Sequence, residues 1–185
     1  MGREQGMPIA EILYSWWDGY ASVVEGRYEH AYAQLAPSVK YWRDSGALHL
    51  VPYANLMMAQ ALSGMDRLTE AITLVDEAVQ VIERTNHRPH EAEVHRVRGM
   101  LLSQGQHPNL VASEAALRKA IDVARSQQAK GWELRAATSL ARIWQTQEEP
   151  HRTRDVLAPV YNWFTEGFDT RDLREAKALL DELRT

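Results

Sequence analysis

VPYANLMMAQALSGMDRLTEAITLVDEA, residues 51–78, decides the fold. Two apolar-periodic runs, centred on Ala59 and Ala71, are parted only by Ser63-Gly64-Met65-Asp66, a break that fits two helices folded back on each other. Each run carries a small residue at its middle, and where two helices cross closely only Gly, Ala, Ser or Thr lets the backbones approach. The pair recurs along the chain. Gly19, Ala59, Gly99 and Ala141 are spaced 40, 40 and 42 residues apart, and Ala31, Ala71, Ser113 and Thr153 follow at spacings of 40, 42 and 40. The sequence therefore predicts an all-α chain, a right-handed superhelix of about four antiparallel helix pairs with a period of about 40 residues. Residues 1–185 read as one such repeat domain, closed by a C-terminal capping helix at 170–185.

Working outward, the apolar periodicity predicts nine helices, over 8–25, 28–45, 48–63, 67–85, 89–104, 110–128, 131–147, 151–164 and 170–184. Pro8, Pro52, Pro89 and Pro150 stand at or near helix starts, where a missing amide proton is harmless. Leu35-Ala36-Pro37 and Leu157-Ala158-Pro159 occupy the same place in the first and fourth pairs, so both second helices are expected to kink there, the alternative being that they end before the proline. If they stop, Tyr41-Trp42 and the aromatics from Tyr161 to Phe164 belong to separate turns. Gly167 suits a left-handed helix end, and Asp169 or Thr170 suits the cap of the last helix, whose stripe is Leu173, Ala176, Leu179, Leu180 and Leu183. Tyr14, Trp16, Trp17 and Tyr20 crowd the first helix, either as its own packing or for something before residue 1.

Composition narrows the function classes. The 21 basic and 25 acidic residues give a net charge of -4, with no global attraction to nucleic acid or an acidic membrane. Residues 1–92 hold 7 Lys and Arg against 12 Asp and Glu, whereas residues 93–185 hold 14 against 13, so an acidic partner prefers the C-terminal half. Without a cysteine there is no disulfide, thiolate nucleophile or thiolate metal ligand, as suits a reducing cytoplasm. The polar N-terminus, MGREQGMP, has no apolar run of signal-peptide or membrane-spanning length, and it reads as the start of an excised fragment.

Ala71, Val75 and Ala78 match the second-helix pattern of the tetratricopeptide repeat; Ser113, Leu117 and Ala120 keep two of its three positions, and Thr153, Leu157 and Val160 keep the apolar centre. The chain thus resembles that family, with longer helices than its period of roughly 34 residues. The runs 91–99 (EAEVHRVRG), 133–144 (ELRAATSLARIW) and 157–170 (LAPVYNWFTEGFDT) resemble the C-terminal repeat region of large bacterial signalling proteins. In those proteins a nucleotide cyclase, such as an adenylate cyclase, or a DNA-binding domain precedes a signal-transducing ATPase of the AAA/STAND type, and the repeats come last. The resemblance implies a regulatory, noncatalytic interaction module. No G-x-x-x-x-G-K-[ST] loop is present, so that ATPase is not in this chain.

Candidate chemistry is sparse. His87, His90 and His95 cluster with Glu91 and Glu93, but the five-residue step from His90 to His95 sets them about 140° apart on a helix, unlike the i, i+4 pair that shares a zinc ion. Neither Ser113 nor Ser139 lies in a Gly-x-Ser-x-Gly elbow. No cofactor, metal or enzymatic activity is expected. The expected partner surface is a groove lined by the first helix of each pair, and the tetratricopeptide register assigns its residues. They are Leu13, Trp16, Tyr20 and Val23; Tyr53, Leu56 and Gln60; Glu93, Arg96, Met100 and Ser103; and Arg135, Thr138, Arg142 and Gln145. Its aromatic end grades into an arginine end, complementary to a peptide with an apolar and an acidic portion. The plainer reading makes Trp16 and Tyr20 core and pairs the arginines with Glu93 and its neighbours. Expected partners are a protein, a peptide or upstream domains of the same polypeptide, or else a small anionic ligand in a sensor, or a second copy in a homodimer.

Overall fold

Among the described residues, 9–183, the computed structural model is all-helical. One compact unit ends at Arg88 and another begins at Pro89. The first holds α1 (Ile9–Val24), α2 (Tyr28–Asp44), α3 (Val51–Gly64) and α4 (Leu68–Thr85), with a short 3-10 turn at Leu48–Leu50 leading into α3. The second holds α5 (Glu91–Leu102), α6 (Leu110–Ser126), α7 (Lys130–Thr146), α8 (Pro150–Tyr161) and α9 (Arg171–Glu182). The expected helix ends at Pro8, Arg184 and Thr185 lie outside the described residues. In the first unit α1 packs on α2, α3 on α4, and α3 also on α1 and α2. In the second, α5 packs on α6, α7 on α5, α6 and α8, and α9 on α7 and α8.

The small residues mark the crossings. A Cβ on Gly19 would fall 2.5 Å from Leu35 Cγ and 3.4 Å from the Ala31 carbonyl oxygen, and one on Gly99 would fall 2.6 Å from Leu117 Cγ and 3.0 Å from the Ser113 carbonyl oxygen. The crossing of α1 on α2 is thus rebuilt by α5 on α6, residue for residue. Leu35, Val75, Leu117 and Leu157, four positions after the second small residue of each pair, are all buried. Where that second residue is polar its hydroxyl is used: Ser113 Oγ donates to the Gly99 carbonyl at 2.7 Å, and Thr153 Oγ1 to its own helix at Glu149 at 2.9 Å.

The turns repeat as well. Gly26, Asp66, Gln128 and Glu148 all have positive φ, between 56° and 76°. The amide that follows each reaches back five residues, from Arg27 to Ser22, Arg67 to Leu62, Ala129 to Ala124 and Glu149 to Trp144, at 2.8 to 2.9 Å. This closes the helix end by satisfying a carbonyl that would otherwise lack a partner. Gly64 serves packing instead: it ends α3 where a Cβ would meet the Tyr28 ring at 2.3 Å.

The two interior prolines do not behave alike. Both lie within helices, which corrects the reading that the helices end before them, but α2 runs on past Pro37 to Asp44 whereas α8 ends at Tyr161. Trp42, beyond Pro37, is buried edge-on to Trp16 at 5.9 Å and holds α2 in helix past the lost hydrogen bond. Beyond Pro159 the corresponding ring, Phe164, packs half-buried against the second unit's core without the chain continuing in helix, while Trp163 is 58% exposed. Gly167 has a φ of 75°. Thr170 occupies the N-cap of α9 without a side-chain hydrogen bond, so its backbone alone starts that helix.

Candidate functional site

In the first unit the expected groove residues split between interior and surface. Leu56, 1% exposed, and Trp16, 8% exposed, are core side chains, which corrects their assignment to an open groove. Trp16 is drawn inward because its ring stacks on Tyr53 at 5.8 Å and meets Trp42 edge-on, an arrangement worth about 0.5–1.5 kcal/mol per pair beyond burial. Gln60 is half-buried and donates to the Leu56 carbonyl at 3.3 Å. Val23 packs half-buried against the same cluster. Leu13 and Tyr20 do face solvent, and Tyr20 meets the exposed Trp17 edge-on at 6.4 Å.

In the second unit the arginines are partnered. Glu93 and Arg96, one turn apart on α5, are both buried and joined by two hydrogen bonds of 2.7 and 2.8 Å. Arg135 of α7 adds a third contact to Glu93 at 2.9 Å. Burial pushes the Glu93 carboxyl up, but the hydrogen bonds and charge of Arg96 and the charge of Arg135 outweigh it and hold the group below the ordinary carboxylate range. Arg96 also donates to Met100 Sδ at 2.7 Å and to Ser139 Oγ at 3.4 Å. Thr138 is buried, its hydroxyl donating to the Leu134 carbonyl at 2.8 Å. Ser103, half-buried, does the same to Met100 at 2.7 Å. Glu93, Arg96 and Thr138 therefore belong to the interior, against the expectation of an open groove, because a charged residue buried on a helix face needs its counter-ion beside it.

What covers the arginine face of α7 is α9. Arg142 pairs with Glu175 at 2.8 Å, Arg135 approaches Asp172 at 3.9 Å, and Gln145 donates to Glu182 at 2.6 Å. Leu173, Ala176 and Leu179 of α9 are buried in the same core as Leu140 and Ala141. The peptide expected for the groove has an apolar and an acidic portion; on α7 it is the chain's own terminal helix that brings both, Leu173, Ala176 and Leu179 together with Asp172, Glu175 and Glu182. Beside Arg142 a depression of about 140 Å³ remains between α5 and α7, lined by Met100, Ser103, Gln104, Ser139, Arg142 and Ile143.

One constellation was missed by sequence reasoning. The guanidinium groups of Arg118 and Arg152 lie over the Trp144 ring, 5.0 and 4.2 Å from its centre, and its indole N–H donates to Glu114 at 2.9 Å. Glu114 also accepts from Arg118 at 2.9 Å and from Arg152 at 2.7 Å, tying α6, α7 and α8 together. Only the Glu114–Arg118 spacing, a helical i, i+4 pair, was visible beforehand. The histidines do not converge. His87 meets His49 at 5.6 Å in the first unit, while the His90 ring lies 5.8 Å from Trp132 in the second. Among the described residues no three acidic or histidine side chains are grouped as metal ligands would be.

No family model matches the chain. Over 142 residues, 76% of its length, it is 29% identical to an uncharacterized protein of Rhizobium meliloti (strain 1021). The match covers 13% of that curated relative, so the chain spans only a small part of the length of the protein it is similar to.

Proposed function

We propose that the chain is a noncatalytic protein-interaction and regulatory module of tetratricopeptide-like helix pairs within a cytoplasmic bacterial multidomain signalling protein of the adenylate cyclase or ATPase type. In this reading the pairs wind as a right-handed superhelix and their partner is a protein, a peptide or another domain of the same polypeptide. The observation that carries it is the α7–α9 contact: a surface bearing Arg135 and Arg142 takes up a helix with an apolar stripe and acidic flanks. Charge-assisted pairing of this kind selects carboxylate-bearing helices by geometry as well as charge. Two facts favour the setting. The same helix crossing recurs in both units, as in repeat proteins that bind other proteins, and the match to a bacterial relative covers 13% of that protein. Among the described residues no helix is long and apolar enough to cross a membrane.

The size of the α5–α7 depression bears on the alternative of a small anionic ligand. Ligand pockets run to about 300–1,000 Å³, and this one holds about 140 Å³. A polypeptide is the better fit. The test is calorimetric titration of the chain truncated before α9, whose α7 face is then open, with acidic amphipathic helical peptides, beside thermal melts of the whole chain with a panel of anionic metabolites. Binding of the peptide, weakened at least tenfold by Arg142→Glu, is the expected result. A rise in melting temperature with a small anion, and no peptide binding, would overturn the reading.

A further inference from the structure

In the second unit α7 and α9 hold equivalent places in the repeat but are gripped differently. Ala59, Gly99 and Ala141 each stand 28 residues after the small residue of the preceding second helix, at Ala31, Ala71 and Ser113, and 28 residues after Thr153 comes Asp181 of α9. In register α9 is the next first helix, and it packs on α7 and α8 as α7 packs on α5 and α6. Only one of its sides is buried. Leu173, Ala176 and Leu179 enter the core of that pair. On α7 the residues seven and four places before Ala141, Leu134 and Ala137, are buried too, as is Ala141 itself. The matching places on α9 are Arg174 and Lys177, both exposed, and the half-buried Asp181.

The remaining ties of α9 lie at its rim. Arg142 with Glu175, Arg135 with Asp172 and Gln145 with Glu182 are pairs of exposed or half-buried side chains. Within α9, Arg171 pairs with Glu175 and Lys177 with Asp181 at the i, i+4 spacing that supports a helix standing alone. A non-helical link, residues 162–170, joins it to α8. α9 is therefore bound as a tethered ligand is bound, by one apolar stripe and a set of charges. A free helix with the same stripe and acids could take its seat without leaving apolar surface uncovered or a cation unpaired.

We propose that α9 is an exchangeable occupant of the α7–α8 seat, an autoinhibitory helix that an acidic amphipathic helix of the partner displaces. The inference rests on the interaction-module reading and supplies the regulation of that surface. A short tether gives its helix an effective concentration on the order of millimolar. A partner must outcompete that, so the seat opens to weaker partners only when α9 is loosened.

The test uses α9 itself as the probe, a fluorescein-labelled peptide of residues 169–183 titrated against the 185-residue chain and read by anisotropy. Leu173→Ala with Leu179→Ala in the chain's own α9 should raise its affinity for the peptide at least about tenfold. The chain has no cysteine, so Gln145→Cys and Glu182→Cys added to the loosened chain can be joined by a bismaleimide, and the cross-link should remove the gain. Arg142→Glu should weaken the peptide, and a peptide carrying Glu175→Arg should recover it. No binding to the loosened chain, equal binding by native and loosened chains, or binding indifferent to the cross-link overturns the proposal. So does a loosened chain that loses amide protection throughout α5 to α8, because α9 is then part of the fold and not its occupant. If the chain truncated before α9 binds acidic peptides while native and loosened chains bind alike, the exchange fails and the reading of the α7 face stands.

Discussion

The two units build the same helix crossing and fill it with different chemistry. In the first, α1 meets α3 through stacked aromatics, Trp16 on Tyr53 with Trp42 edge-on. In the second, the equivalent face of α5 carries the buried Glu93–Arg96 pair, and α7 answers with Arg135. The backbone contact, Gly19 at Leu35 or Gly99 at Leu117, is indifferent to that choice. The lesson is that small residues at a fixed period set the packing of each pair, while the first-helix faces remain free to be apolar or ionic. Function resides in those faces.

The largest effect should come from breaking the ionic face. Arg96→Ala leaves the buried Glu93 with Arg135 alone and should cost about 3–5 kcal/mol in urea unfolding, read by hydrogen exchange in α5 to α7. Replacing both partners, Glu93→Leu with Arg96→Met, should restore most of that loss, which would show that the ionic face is not needed for the crossing. Next come the crossings themselves. Gly99→Ala and Gly19→Ala should each cost about 1–3 kcal/mol through overpacking. Gly99→Ala should cost more, because its Cβ meets a backbone oxygen at 3.0 Å rather than 3.4 Å. Equal or negligible costs would break the equivalence of the two crossings.

How much of this was legible follows from the same distinction. The crossing could be read because Gly19, Ala59, Gly99 and Ala141 report a backbone distance, which depends on the residues at the contact and nothing else. The faces could not. Arg142 looks like a free groove cation until Glu175, 33 residues away, arrives on α9, and no periodicity in either helix says which side of α7 will receive it. Leu56 stands three positions before the small residue of its pair, as Trp16, Arg96 and Thr138 do, and all four are buried, so that place faces the interior in every pair whatever the side chain. The Trp144 stack needs Arg118 and Arg152 from helices on both sides of α7, and Trp beside Arg is too common a composition to signal it.

Acid should separate the units. Glu93, Glu114, Glu133 and Glu175 of the second unit are each pushed up by burial, yet hydrogen bonds and charge from their cations, and for Glu114 first the hydrogen bond from the Trp144 indole, hold each below the unfolded reference of 4.5. In the first unit Glu70 is held low by an exposed hydrogen bond from Arg67. A carboxyl depressed in the folded state contributes stability above pH 4.5 and loses it as pH falls through its folded value. Amide exchange in α5 to α8 should therefore accelerate before that in α1 to α4 as pH is lowered below about 4.5. Simultaneous loss would mean that the second unit's ion pairs contribute no more than the first unit's aromatic packing.

The smallest effect tests the turns. Gly26 has a positive φ at no steric cost, but Asp66, Gln128 and Glu148 adopt the same conformation with a Cβ, at about 1–2 kcal/mol each. Glycine loses more backbone entropy on folding, roughly 0.5–1 kcal/mol, which offsets part of that. Glu148→Gly should therefore stabilise the chain by about 0.5 kcal/mol, and Gly26→Ala should destabilise it by about 1 kcal/mol. The two substitutions move the same motif in opposite directions, one in each unit. If both destabilise, Glu148 holds its turn by something other than its backbone, and the four turns are alike in geometry without being alike in energy.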